Sequence, residues 1–80
     1  MKQLRLFYRT GCHLCEDMQE HLEGLKASQP FRLERVDVDM DSALKQQYDH
    51  RVPVLEDKDG AILSEYYLDQ QAVLRYLQGA

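Results

Sequence analysis

Apolar residues recur along the chain with a spacing that changes from segment to segment. A compact apolar run near the start suits a strand buried on both faces, and it consists of Leu4, Leu6, Phe7 and Tyr8. From residue 13 to residue 28 the spacing becomes helical, with acids and glutamines between the apolar positions. Those apolar positions are Leu14, Met18, Leu22 and Leu25. The pattern predicts a strand and then an amphipathic helix that closes before Pro30.

The next apolar segment, residues 31–38, predicts a second strand, but its alternation changes parity half-way. Its first two apolar residues share one parity, whereas Val36 and Val38 share the other. Two explanations remain open. Either a bulge lies near Glu34–Arg35, or one part of the strand is buried on both faces.

The rest of the chain predicts two further helices and a hairpin. Residues 39–50 suit a short helix with an aspartate as its cap. Two short strands over 51–56 and 60–65 are joined by a turn in which Asp59-Gly60 is a strong hairpin signal. The last helix is expected to begin after residue 68 or 69, where apolar residues again recur at helical spacing.

These elements follow the order β-α-β-α-β-β-α in what we expect to be a single domain over residues 1–80. A helix between the first two strands demands a right-handed parallel crossover, and the hairpin adds an antiparallel pair. The predicted fold class is therefore α/β, with a mixed four-stranded sheet flanked by helices.

Composition and charge exclude several classes of partner. The 10 Lys and Arg are scattered and outnumbered by 14 Asp and Glu, so the chain lacks the basic face of a nucleic-acid binder. The apolar runs are far shorter than the roughly 20 residues of a membrane span, and the N-terminus has no signal-peptide core. We expect a monomeric, cytoplasmic protein with no nucleic-acid or membrane partner.

Both cysteines of the chain lie within one turn, where the first strand gives way to the first helix. Two cysteines are too few for a secreted disulfide framework, so reactive thiols are the better interpretation. A helix N-terminus favours a thiolate, and Cys12 gains most because it is first. We therefore expect Cys12 to be the nucleophile and Cys15 the resolving thiol. Arg9 adds positive charge nearby, and a protonated His13 would further stabilise the thiolate.

Metal binding is the main alternative to this redox interpretation. Cys-x-x-Cys is also half of a zinc site, but two further ligands would have to come from poorly placed histidines, so no metal site is predicted. The acidic run over 37–41 lacks the glycine and glutamate that an EF-hand requires, and it is better explained by a strand end and helix caps.

A second segment, "RVPVL", places Pro53 at the start of a predicted strand. Together with "FYRTGCHLC", it resembles the glutaredoxin branch of the thioredoxin-fold family, over nearly the whole chain and in order. The resemblance implies a thioredoxin-like fold and a thiol–disulfide oxidoreductase that uses a Cys12/Cys15 couple. It also implies a cis Val52–Pro53 bond beside the cysteines, with the Val52 backbone pairing with substrate and Arg9 holding a carboxylate.

The resemblance further implies no bound cofactor, with glutathione as a co-substrate and a disulfide-containing protein or a glutathione mixed disulfide as the partner. Two features depart from the family. Leu63 and Ser64 stand roughly where glutathione-using members carry two glycines, and His13-Leu14 is an unusual pair between the cysteines. Two other functions remain open: an iron–sulfur cluster or metal carrier that uses Cys12, and a non-catalytic module that binds a partner through Val52–Pro53.

Overall fold

A computed structural model describes residues 1–48 and 50–79. Within them, the strands are β1 (Gln3–Tyr8), β2 (Arg32–Asp37), β3 (Val54–Glu56) and β4 (Ile62–Glu65). The α-helices of the same residues are α1 (His13–Lys26), α2 (Ser42–Tyr48) and α3 (Gln70–Gln78). A single 3-10 turn, Val38–Met40, follows β2. This is the predicted order β-α-β-α-β-β-α, which is confirmed.

The four strands form one mixed sheet in the order β2-β1-β3-β4. β1 pairs with β2 in parallel, from Gln3 opposite Arg32 to Tyr8 opposite Asp37. β3 is antiparallel to both β1 and β4. The parallel crossover and the antiparallel hairpin predicted from the sequence are therefore both present.

Each face of the sheet carries its own apolar cluster. On one face, the buried side chains of β1 and β3 pack with Met18 and Leu22 of α1 and Val73 of α3. The opposite face is covered by α2 and the 3-10 turn, whose buried residues are Tyr48 and Val38. These pack against the remaining buried residues of β1 and β3. Because β1 lies between the two clusters, its apolar run is buried on both faces, as its composition predicted.

The parity change in the second strand arises because its half-buried apolar residues pack against opposite faces of the sheet. β2 pairs with β1 in an unbroken register, so it contains no bulge. Leu33 packs against one apolar cluster and Val36 against the other, while Val38 lies beyond the strand in the 3-10 turn. A register shift lies between β3 and β4, at Leu55 and Glu56.

Aspartates cap the short elements, as expected. Asp41 Oδ1 accepts from the backbone N–H groups of Ala43 and Leu44, at 2.9 and 3.2 Å. Asp69 accepts from Ala72 N–H at 3.1 Å and begins α3. In the hairpin turn, Asp57 Oδ1 accepts from two backbone N–H groups.

Several element ends differ from the prediction by a few residues, and two of these differences have a local physical reason. α1 ends at Lys26 rather than at residue 28, because the next backbone N–H groups turn back onto the Leu25 carbonyl. β3 begins at Val54, since Pro53 has no N–H to donate to a ladder. No helix within the described ranges is both long enough and apolar enough to cross a bilayer.

Candidate active site

The two cysteines lie where β1 ends and α1 begins. Gly11 has φ 79°, a left-handed conformation that glycine adopts at little cost, and it turns the chain from the strand into the helix. Cys12 is the N-cap of α1, and its Sγ accepts from the Cys15 backbone N–H at 3.1 Å. Cys12 and Cys15 form a disulfide, with their Cα atoms 5.2 Å apart.

The pair is unequally exposed. Cys15 is 3% exposed and belongs to the buried side of α1, whereas Cys12 is only partly buried. An incoming disulfide can therefore meet Cys12 from solvent, while Cys15 is placed to contact Cys12. The helix N–H that already points at Cys12 Sγ would also stabilise a thiolate there, because a charged acceptor strengthens such a hydrogen bond.

A shallow groove joins Cys12 to the segment that contains the proline. Its lining residues are Arg9, Thr10, Gly11, Cys12, His50 and Val52. The Val52–Pro53 peptide bond is cis, the isomer that the resemblance implies, and Pro53 is fully buried. Three of the predicted site residues, Arg9, Cys12 and Val52, thus share one groove.

Arg9 has an acidic partner in this groove. Its Nε lies 3.2 Å from Asp39 Oδ2, and the two side chains are 34% and 35% exposed. Asp39 belongs to the 3-10 turn that follows β2, so the pair links the two parallel strands at the cysteine end of the sheet. The positive charge beside Cys12 is therefore partly balanced by a carboxylate.

His13 is not among the residues that line the groove. Its side chain is 96% exposed, and its Nδ1 lies 3.9 Å from Glu16 Oε2. As the first residue of α1, it is directed into solvent rather than toward the disulfide. A contact between His13 and a substrate stays a prediction.

Sequence reasoning missed two groups of residues around the site. Thr10 and His50 line the groove, although His50 was weighed only as a metal ligand. Its position three residues before Pro53 was the available signal. Glu65 was missed as a contact of the segment before β3, because this pairing depends on how the hairpin folds back. The family resemblance implied that Tyr66 and Tyr67 border the groove, but not that Tyr66 contacts this segment.

The two residues that stand roughly where the family carries a glycine pair have a backbone conformation that does not require glycine. Leu63 and Ser64 both lie inside β4, where the backbone is extended. Ser64 Oγ accepts from the Asp69 N–H at 2.8 Å and so ties the strand to the start of α3. The left-handed position in this region is Tyr66, with φ 64°.

The described residues contain no cluster of three His, Cys, Asp or Glu side chains that could hold a metal ion. The groove presents Cys12, which is bonded to Cys15, together with charged neighbours such as Arg9. Such a dithiol can exchange with an external disulfide when one sulfur is accessible and the other is held beside it.

A family model and several solved structures match this chain. Residues 3–78 match the model of the family described as glutaredoxin-like domain (DUF836). The chain is 36% identical to protein Ne2328 from Nitrosomonas europaea, with a TM-score of 0.83 over 94% of this chain and 89% of that one. It is 34% identical to protein XcR50 from X. campestris, with a TM-score of 0.73 over 100% of this chain and 96% of that one.

Oxidised mitochondrial thioredoxin 3 from Saccharomyces cerevisiae is 25% identical, with a TM-score of 0.65 over 96% of this chain and 76% of that one. No curated protein matches the sequence significantly. The matched structures cover 94–100% of this chain, and they support the thioredoxin-like fold. With the family match over residues 3–78, they show that the chain belongs to the glutaredoxin-like family of thioredoxin-fold proteins.

Proposed function

We propose that the chain is a thiol–disulfide oxidoreductase that works through Cys12 and Cys15. The observation that carries the proposal is the disulfide between a partly exposed N-cap cysteine and a buried cysteine one turn later. This asymmetry supports a cycle in which Cys12 attacks and Cys15 resolves, because Cys12 is more accessible to an external disulfide than the buried Cys15.

The cycle balances as two exchange steps. The Cys12 thiolate attacks a substrate disulfide, forms a mixed disulfide and releases the first substrate thiolate. Cys15 loses its proton to water and attacks Cys12 Sγ, which releases the second substrate thiolate and closes the Cys12–Cys15 disulfide. The substrate gains two electrons and the protein loses two. Two equivalents of an external thiol then reduce the protein disulfide and leave as their own disulfide, and no bound cofactor takes part.

The groove supplies the contacts for the substrate. Val52 precedes β3 and lies outside its ladder, so its backbone can pair with an extended substrate strand beside Cys12. Arg9 can release Asp39 and bind a substrate carboxylate instead, because the partly exposed Arg9–Asp39 ion pair contributes little stability. His13 can contact the substrate from the solvent side.

The proposed substrates are a protein disulfide and a glutathione mixed disulfide. A reducing compartment such as the cytoplasm would keep the dithiol recycled. The test is turnover of oxidised insulin and of a cysteine–glutathione mixed disulfide by wild type, Cys12→Ser and Cys15→Ser. We expect wild type to turn over at least one substrate and Cys12→Ser to turn over neither.

The pattern among the variants identifies the cycle. Activity of Cys15→Ser on the glutathione mixed disulfide alone would indicate a cycle that needs a single thiol and uses glutathione. Loss of both activities in Cys15→Ser would indicate a dithiol cycle. Wild type that is inert toward both substrates, or a Cys12→Ser variant that keeps its activity, would contradict the proposal.

A further inference from the structure

The segment that carries Val52 is held in place by two residues at the end of β4. We call residues 50–53 the proline loop. The Tyr66 hydroxyl donates to the His50 carbonyl at 2.9 Å, and the Tyr66 backbone N–H donates to the Pro53 carbonyl at 2.9 Å. Tyr66 therefore binds the proline loop on both sides of Val52.

A second contact fixes the same loop through its arginine. Arg51 reaches Glu65 with Nη2 at 3.0 Å from Oε1 and Nε at 3.3 Å from Oε2. Two parallel hydrogen bonds of this kind restrict the orientation of the guanidinium as well as its distance. The Arg51 guanidinium also lies over the Tyr48 ring, 5.4 Å from its centroid. Val52, like His50, lines the Cys12 groove, and it lies between neighbours that these contacts anchor.

Tyr66 has an unfavourable backbone conformation. This indicates that its contacts with the proline loop contribute more free energy than the conformation costs. Its φ of 64° lies in the left-handed region, which disfavours any residue with a Cβ. Glycine would avoid this cost, but it could not supply the hydroxyl that reaches His50. Unfavourable backbone conformations of this kind persist where surrounding contacts hold them.

We propose that Tyr66 is a positioning residue, which holds the Val52 backbone in the conformation that pairs with the backbone of an extended substrate beside Cys12. This inference rests on the proposed function. It distinguishes substrate classes, because pairing with Val52 requires a substrate that has peptide groups next to its disulfide. A disulfide without a peptide backbone gains nothing from an ordered proline loop.

The experiment compares two disulfides as oxidants of the fully reduced protein. One is the disulfide dimer of a capped, uncharged pentapeptide with a central cysteine, and the other is the aromatic disulfide dithiobis(nitrobenzoate). The variant is Tyr66→Phe, which removes only the hydroxyl. The matched control is Tyr67→Phe, since Tyr67 is 73% exposed and its hydroxyl is not among the loop contacts.

We expect Tyr66→Phe to lower the second-order rate constant for the peptide disulfide by about three- to tenfold, the usual effect of losing one hydrogen bond. The rate constant for the aromatic disulfide should stay within about twofold, because it reports the intrinsic reactivity of Cys12. Tyr67→Phe should change neither.

Two results would overturn the inference. In the first, Tyr66→Phe leaves the peptide rate constant unchanged while wild type reduces both disulfides. In the second, both rate constants fall in parallel, which would show that the hydroxyl supports the cysteines themselves rather than substrate pairing. If the proposed function itself is wrong, wild type will reduce neither disulfide. That result differs from the two above, and it would overturn the inference as well.

Discussion

Tyr48 and Glu56 form a hydrogen bond inside the protein, on the sheet face that α2 covers. The Tyr48 hydroxyl donates to Glu56 Oε2 at 3.1 Å, with Tyr48 4% and Glu56 9% exposed. Burial raises the pKa of Tyr48 above the ordinary value of 10.0, and the hydrogen bond to Glu56 and its negative charge raise this pKa further. A polar pair is thus stable in an apolar cluster because each partner satisfies the other.

Tyr48→Phe removes the donor and leaves the Glu56 carboxylate buried without it. We expect the free energy of unfolding at pH 7 to fall by about 1–3 kcal/mol, the range for a buried acceptor that loses its partner. Urea unfolding followed by circular dichroism measures this difference. Tyr67→Phe is the matched control, because the same hydroxyl is lost at an exposed position. An equal loss in both variants would contradict the account.

The same pair predicts how stability changes in alkaline solution. Because the pKa of Tyr48 is raised in the folded protein, its contribution is fully present below pH 10 and is lost as pH rises through the folded-state pKa. Wild type should therefore lose stability above pH 10 more steeply than Tyr48→Phe. Urea unfolding at several pH values tests this, and parallel curves for the two proteins would contradict it.

At the scale of elements, the sequence predicted the helix positions, because these depend on residues that are close together in the chain. Helical spacing predicted α1 with Cys12 at its start, and Asp69 was one of two residues expected to precede α3. The contact of Tyr66 with the proline loop could not be predicted. It depends on the register of β3 and β4, which shifts at Leu55 and Glu56. The turn residues of the hairpin do not predict this shift.

The start of α1 supports a prediction about thiolate formation. The helix N-terminus should move the half-maximal pH for alkylation of Cys12 below about 8.5, the value of a free cysteine. Glu16 opposes this shift, since it lies in the same turn and its charge disfavours a second negative charge. We expect Glu16→Gln to lower the half-maximal pH by a few tenths of a pH unit in the Cys15→Ser background.

The matched control for that measurement is Glu20→Gln, one turn farther along α1 and also exposed. Rates of iodoacetamide alkylation between pH 5 and 10 give both half-maximal values. Because the charge of Glu20 lies farther from Sγ, its removal should have a smaller effect. Equal effects of the two substitutions would contradict a specific influence of the first helical turn.

At the scale of the molecule, stability depends on two small apolar clusters separated by one sheet. A chain of 80 residues has roughly 4–12 kcal/mol of net stability, so single core side chains matter. Leu22 is fully buried between α1 and the sheet. The same clusters explain why the sequence could predict the fold class, since the apolar spacing of each element marks the face that it buries.

Leu22→Ala should lower the free energy of unfolding by about 2–5 kcal/mol, from lost burial and the cavity left behind. Ile62→Ala is the control, because Ile62 is 45% exposed and its truncation should cost less than about 1 kcal/mol. Urea unfolding of the oxidised proteins gives both values. A loss below about 1 kcal/mol for Leu22→Ala would contradict the assigned core.

The most direct test of the assigned roles is to trap the first exchange step. Reduced Cys12→Ser and Cys15→Ser would each be mixed with the peptide disulfide, and the intact mass would be measured over time. Cys15→Ser should accumulate a single peptide adduct on Cys12, because the resolving thiol is missing. Cys12→Ser should remain largely unmodified, since Cys15 is 3% exposed. Equal adduct formation in both variants, or none in either, would contradict the assignment of Cys12 as the nucleophile and Cys15 as the resolving thiol.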